Sequence, residues 1–210
     1  HYDVDYCVPR LNHEPIEAII ALEQLLTPNT VLLGSSLGGF FATYLSQRYQ
    51  IPAVVINPAV APYTLLEPIL GPNYNPYQDY NYQLQSRHID ALKALTVTEL
   101  KHPELLYLLQ QTGDEVLNFQ HAIKYYSQCK QLIEFGGDHS FNGFGVFHVF
   151  DANSCEEGIR VARAIEFRDN HDVAHTTVFF KFDEFFLSVV FAFVTLESFI
   201  ALKTRVFFTF

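Results

Sequence analysis

Apolar and polar positions along this chain repeat with two periods, and the switches between them predict its elements. Val4-Asp-Tyr-Cys-Val-Pro9 reads as a strand closed by a proline. Pro15 suits the first turn of a helix. Ile16, Ile19, Ile20 and the Leu25/Leu26 pair fall near helical spacing, with Glu17, Glu23 and Gln24 on the other side. Thr27-Pro28-Asn29 is a break. A β-branched and aliphatic run, Thr30 to Leu33, predicts a second strand, and Leu37 to about Tyr49 a helix. Pro52-Ala-Val-Val-Ile-Asn57 is a short apolar strand of the kind buried on both faces. Ser86 is placed to cap a helix through Leu95. Leu105 to Gln110 predicts a fourth strand, Asn118 to Gln128 a helix, and Gln131 to Phe135 a fifth strand.

Short apolar strands alternating with helices indicate an α/β protein with a mostly parallel sheet and helices on both faces. Ligands bind such sheets beyond the carboxyl ends of the strands, where Ser36 and the Asn57-Pro-Ala-Val60 turn both fall. One stretch breaks the rhythm. Gly71 to Tyr82 interleaves four tyrosines with turn residues, and it is expected to be irregular, either a lid over a pocket or a solvent-exposed connection.

Composition narrows the picture. At 210 residues, one domain with a core of its own is expected. A formal charge of -10, with no Lys/Arg cluster, argues against a nucleic-acid partner. Cys7, Cys129 and Cys155 are odd in number and have no metal-ligand spacing, so a reducing, cytoplasmic setting and no metal are expected. No secretory signal opens the chain. The chain starts at His1 and holds no Met, so its natural start is expected to lie upstream.

The candidate chemistry lies at strand ends. Gly34-Ser35-Ser36-Leu37-Gly38 is a Gly-x-Ser-x-Gly motif, weak alone but here set between a strand and a helix, the context of a nucleophile elbow. Gly34 and Gly38 leave room where a Cβ would meet backbone. A serine hydroxyl needs a base, and the base needs an orienting carboxylate. Asp114 follows the fourth strand in Thr112-Gly-Asp114. His139 follows the fifth in Gly136-Gly-Asp-His139, giving the order Ser…Asp…His expected of the elbow-bearing fold. Glu115 is a rival carboxylate that would point differently, and Asp138 is read as capping its loop. His13 and six other histidines are read as surface or core residues, while His88 is left open.

Five runs together resemble a family: Gly-Ser-Ser-Leu-Gly-Gly from Gly34, Pro-Ala-Val-Val-Ile-Asn-Pro-Ala-Val from Pro52, Ser86-Arg-His88, Leu108-Leu-Gln-Gln-Thr-Gly-Asp-Glu-Val and Gly136-Gly-Asp-His-Ser-Phe. In this order they are similar to the YqiA-like bacterial esterases, small cytoplasmic α/β-hydrolases, over about residues 2 to 144. The resemblance implies Ser36 as nucleophile, Asp114 as acid, His139 as base, and the backbone N–H of Leu37 as an oxyanion donor. It implies hydrolysis of carboxylic esters, or of acyl thioesters by the same triad, with no cofactor and a small-molecule ester as partner.

Two departures from that family set further expectations. Its members open with a strand ending in His-Gly-Phe, which supplies a second oxyanion N–H and lies centrally in the sheet. That segment would precede His1. Its loss is expected to leave two unpaired edges and to cost about 10²–10³ in rate, making a weakly active or non-catalytic fragment the main rival reading. The second departure divides the chain into 1–145, the α/β-hydrolase domain, and 146–210, an atypical tail. The tail has no Pro or Tyr yet holds fourteen of the twenty Phe, as a frameshifted reading would. Phe185 to Leu202 is apolar except for Glu197. An acid at a bilayer centre costs roughly 2.5 kcal/mol or more, so a buried or aggregation-prone segment is expected ahead of membrane association.

Overall fold

The computed structural model describes residues 6–75, 78–142 and 188–192. The elements run β1 (Tyr6–Cys7), α1 (Pro15–Glu23), β2 (Thr30–Ser36), α2 (Leu37–Tyr49), β3 (Ala53–Pro58) and a one-turn α3 (Tyr63–Leu66). They continue through β4 (Gly71–Asn75), β5 (Tyr80–Leu84), α4 (Ser86–Ala94), β6 (Leu106–Gln111), α5 (Phe119–Tyr125), β7 (Lys130–Glu134) and β8 (Ser188–Ala192). Six strands form one sheet in the order β1-β8-β2-β3-β6-β7, with parallel pairing throughout. The expected parallel α/β architecture is what the chain adopts.

Burial explains why β2, β3 and β6 are central. Val31 to Leu33, Val54 to Ile56, and Leu108 with Leu109 are buried, so the strands are apolar on both faces. Helix α2 lies over β2 and β3 through Phe40, Phe41 and Leu45. Helix α1 buries a different stripe from the one read in the sequence. Pro15, Ala18, Ile19 and Leu22 face the core, whereas Ile16 and Ile20 are 45% and 48% exposed. The buried set follows the i, i+3, i+4, i+7 spacing starting from Pro15, which outvotes the bulkier isoleucines.

Three further expectations are corrected. The Tyr-rich stretch is not irregular: β4 and β5 form an antiparallel hairpin, Gly71 opposite Leu84 and Asn75 opposite Tyr80. Exposure alternates along it, so period-two patterning was present beneath the turn residues. Ser86 does not cap α4. Gln85 is the N-cap, and its N–H donates to His88 Nδ1 at 2.7 Å. The two unpaired edges expected from loss of a central strand are also covered. Strand β8, from the Phe-rich tail, lies between β1 and β2 and pairs with both. An inner strand without a neighbour leaves a row of N–H and C=O groups unpaired, and the Ser-Val-Val-Phe-Ala run supplies partners. Most of the apolar Phe185–Leu202 run lies outside the described residues. No helix among the described residues is long and apolar enough to cross a membrane.

Candidate active site

Because the sheet strands are parallel, the ends of β2, β3, β6 and β7 open onto one side, and their loops meet there. Strand β2 runs to Ser36 itself, three residues beyond the expected end, and α2 begins at Leu37. The strand-to-helix reversal is forced into one residue, and Ser36 takes φ 53°, ψ -123°, a region that costs an L-residue about 1–3 kcal/mol. The turn is tight enough that a Cβ on Gly34 would come within 2.2 Å of the Gly38 carbonyl. A Cβ on Gly39 would come within 2.6 Å of Pro58 Cβ. The Ser36 carbonyl accepts the Ala59 N–H at 3.0 Å.

The structure brings the three predicted side chains together. Ser36 Oγ lies 3.1 Å from His139 Nε2. His139 Nδ1 lies 2.9 and 3.0 Å from the two carboxylate oxygens of Asp114. An ionised carboxylate only accepts, so Nδ1 carries the proton and Nε2 is left as acceptor for the Ser36 hydroxyl. The Asp114 carboxylate is itself fixed, since Oδ1 also accepts the N–H groups of Val116 and Leu117 at 2.9 and 2.8 Å. The side chains of His139 and Asp114 are almost wholly shielded from solvent. The Leu37 N–H belongs to the first turn of a 13-residue helix, where the helix dipole favours negative charge.

Glu115 does point elsewhere, as expected of the rival carboxylate: its Oε2 accepts the backbone N–H of His139 at 3.0 Å. Asp138 acts through its backbone more than as a cap, and its N–H donates to Gln111 Oε1 at 3.1 Å. The reading of the sequence placed the Asn57 turn at this edge but gave no role to Asn57, Gln110 or Gln111, the buried amides beneath the His139 loop. Gln111 Nε2 donates to Glu134 Oε2 and to the Asn142 carbonyl, both at 2.8 Å. Three buried polar side chains at the ends of apolar strands were the available signal, because burial demands partners.

His13, read as a surface or core residue, and His88, left open, form a pair with company. His13, Glu14 and His88 hold donor atoms close enough for a metal ion. They do not fit one. His88 Nδ1 accepts the Gln85 N–H, which leaves Nε2 protonated and facing Glu14 Oε1 at 3.0 Å. Arg87 also forks onto Glu14, with Nη1 2.6 Å from Oε2 and Nη2 against Oε1. His13 Nδ1 lies 3.0 Å from the Tyr80 hydroxyl, its ring stacks on Tyr82 at 4.4 Å between centroids, and Gln78 Nε2 donates to the Leu11 carbonyl at 2.7 Å. The cluster latches the hairpin to the segment after β1.

A family model matches residues 1–149, that of the Uncharacterised protein family (UPF0227). The chain belongs to this family. It is the YqiA-like family that the five motifs resembled. Among solved structures, this UPF0227 chain is similar to a putative hydrolase from Agrobacterium vitis S4, with 22% identity and a TM-score of 0.42 over 60% of this chain and 59% of that one. It is also similar to the esterase domain of a Rhodothermus marinus protein, with 15% identity and a TM-score of 0.45 over 63% of this chain and 62% of that one. A third is α/β hydrolase domain-containing protein 10 from mouse, with 17% identity and a TM-score of 0.40 over 60% of each chain. The chain thus spans less than two thirds of the length of each of these structures.

Proposed function

We propose that this UPF0227 chain is a serine hydrolase that cleaves carboxylic esters through an acyl-enzyme intermediate. The observation that carries the reading is the unbroken line of contacts from Ser36 Oγ through the His139 ring to the Asp114 carboxylate. Family membership and the elbow geometry support it.

In the first step His139 Nε2 takes the Ser36 hydroxyl proton as Oγ bonds to the ester carbonyl carbon. The carbonyl oxygen becomes an oxyanion against the Leu37 N–H and the N-terminal end of α2. The imidazolium is stabilised by Asp114 and gives its proton to the leaving alcohol as the C–O bond breaks. Water then replaces the alcohol, His139 removes its proton, and a second tetrahedral collapse releases the acid and restores the Ser36 hydroxyl. Neither a metal nor an organic cofactor has a task in this scheme.

The test is labelling of the full chain by a fluorophosphonate probe, with S36A and H139A as controls. Labelling is expected in the unsubstituted protein and in neither variant. Labelling that survives in S36A, or none at all in the parent, would sink the reading. Profiling matched oxygen esters and thioesters then separates an esterase from an acyl thioesterase with the same triad.

A further inference from the structure

We propose that Asn57 is a positioning residue that ties the turn holding Ser36 to the loop holding His139, so that one buried amide sets both nucleophile and base. This rests on the serine-hydrolase reading above. The backbone shows why Asn57 is placed to do it. Across β2 and β3, Ser35 pairs with Ile56 but Ser36 pairs with Pro58. Asn57 is therefore the extra residue of a bulge, with φ 39°, and a bulge beside a site re-aims a side chain. Its amide is fully buried.

Every hydrogen-bonding position of that amide is used. Oδ1 accepts from Gln110 Nε2 and from the Gln111 N–H, both at 2.9 Å. Nδ2 donates to the carbonyls of Asp138 at 2.9 Å and His139 at 3.0 Å. Two acceptor and two donor contacts exhaust an asparagine side chain and fix its orientation. The next two residues grip the elbow, Pro58 against Gly39 and the Ala59 N–H on the Ser36 carbonyl. Residues 57–59 thus touch both turns whose side chains must meet at 3.1 Å. Glu115 holds the other side of the loop through the His139 N–H.

Aspartate at 57 separates positioning from packing. It has asparagine's shape and keeps the acceptor facing β6, but when ionised it turns an oxygen toward two loop carbonyls. When protonated it can donate again. Burial and the carbonyl oxygens push such a carboxyl above the ordinary value. The acids around it (Asp138 in the loop, Asp114 and Glu115 after β6, Glu134 on β7) push the same way. His139 is the one titratable group in the His139 loop that opposes them, and β6 presents only the neutral Gln110 and Gln111.

Full chains carrying N57A, N57D and E115A are compared with the parent, using p-nitrophenyl acetate turnover, fluorophosphonate labelling and thermal melts. N57A is expected to lower kcat about 10²-fold with KM little changed, the usual cost of loosening a reacting group. N57D is expected to match N57A at neutral pH, and its kcat relative to the parent should climb as pH falls toward 5. E115A changes an exposed side chain, so it tests the loop even if the position-57 variants do not fold; a roughly tenfold fall is expected. Unchanged kcat in folded N57A or in E115A overturns the proposal. So does an N57D-to-parent ratio that stays flat with pH, since a packing defect does not follow a proton. A parent that neither labels nor turns over the ester sinks the hydrolase reading itself.

Discussion

Two pairs of a buried histidine and a carboxylate lie among the described residues, and they are built alike up to the second ring nitrogen. His139 faces Asp114 at 2.9 Å and His88 faces Glu14 at 3.0 Å; both rings are buried. In the first pair the carboxylate takes Nδ1–H, and the free acceptor Nε2 is aimed at a hydroxyl. In the second the backbone N–H of Gln85 occupies the acceptor nitrogen, and Arg87 neutralises the acid. The first arrangement leaves a base with somewhere to put a proton. The second turns one nitrogen to the start of α4 and the other toward Glu14. Proximity of a histidine to an acid therefore says little until the partner of the other nitrogen is known.

The contrast can be broken most forcefully at Asp114. D114N keeps an acceptor for the Val116 and Leu117 N–H groups, so the turn should survive. Its amide then favours the wrong tautomer of His139, and kcat on p-nitrophenyl acetate should fall about 10⁴-fold with little change in melting temperature. Activity near that of the parent would erase the distinction between the pairs. At His88 the opposite pattern is expected. H88A should lose about 2–3 kcal/mol in denaturant unfolding, from a buried cavity and two stranded polar groups, while kcat per folded molecule holds steady. The smallest effect lies at Glu14. Burial pulls its carboxyl upward, but hydrogen bonds from Arg87 and His88 prevail and hold it below the ordinary range. Its folded value lies below its unfolded one, so the stabilisation is present above about pH 4.3 and is lost as pH falls through the folded value. The acid limb of the stability curve should be shallower in E14Q than in the parent; identical limbs would remove Glu14 from the latch.

What could be read from the sequence followed from short-range rules. Apolar runs gave β2, β3 and β6. The Gly-x-Ser-x-Gly spacing gave the elbow, and chain order gave Asp114 and His139, because parallel strands deliver their following loops to one edge. What escaped depended on neighbours distant in sequence. Asn57 is polar inside an apolar run, and its purpose is visible only when residues 110, 111, 138 and 139 surround it. The hairpin was hidden because Gly71, Pro72 and its asparagines carry turn preferences, while the face that packs on His13 is known only from Tyr80 and Tyr82 in the folded chain. The α1 stripe was misread because isoleucine outranks proline and alanine in hydrophobicity, although the crossing of α1 over the core decides which face is covered. The pairing of β8 with β2 joins residues more than 150 positions apart in the chain, and no local pattern encodes that.

Ser36 has one further consequence. Its φ of 53° is comfortable for glycine and uncomfortable for any side chain, so the most durable version of this fold would carry no hydroxyl at that turn. The native state is held a little above its own minimum at the residue that the proposed chemistry makes the nucleophile. Selection for persistence alone and selection for turnover pull that position in opposite directions, and a lineage released from the second would be free to drift toward a quieter, sturdier protein.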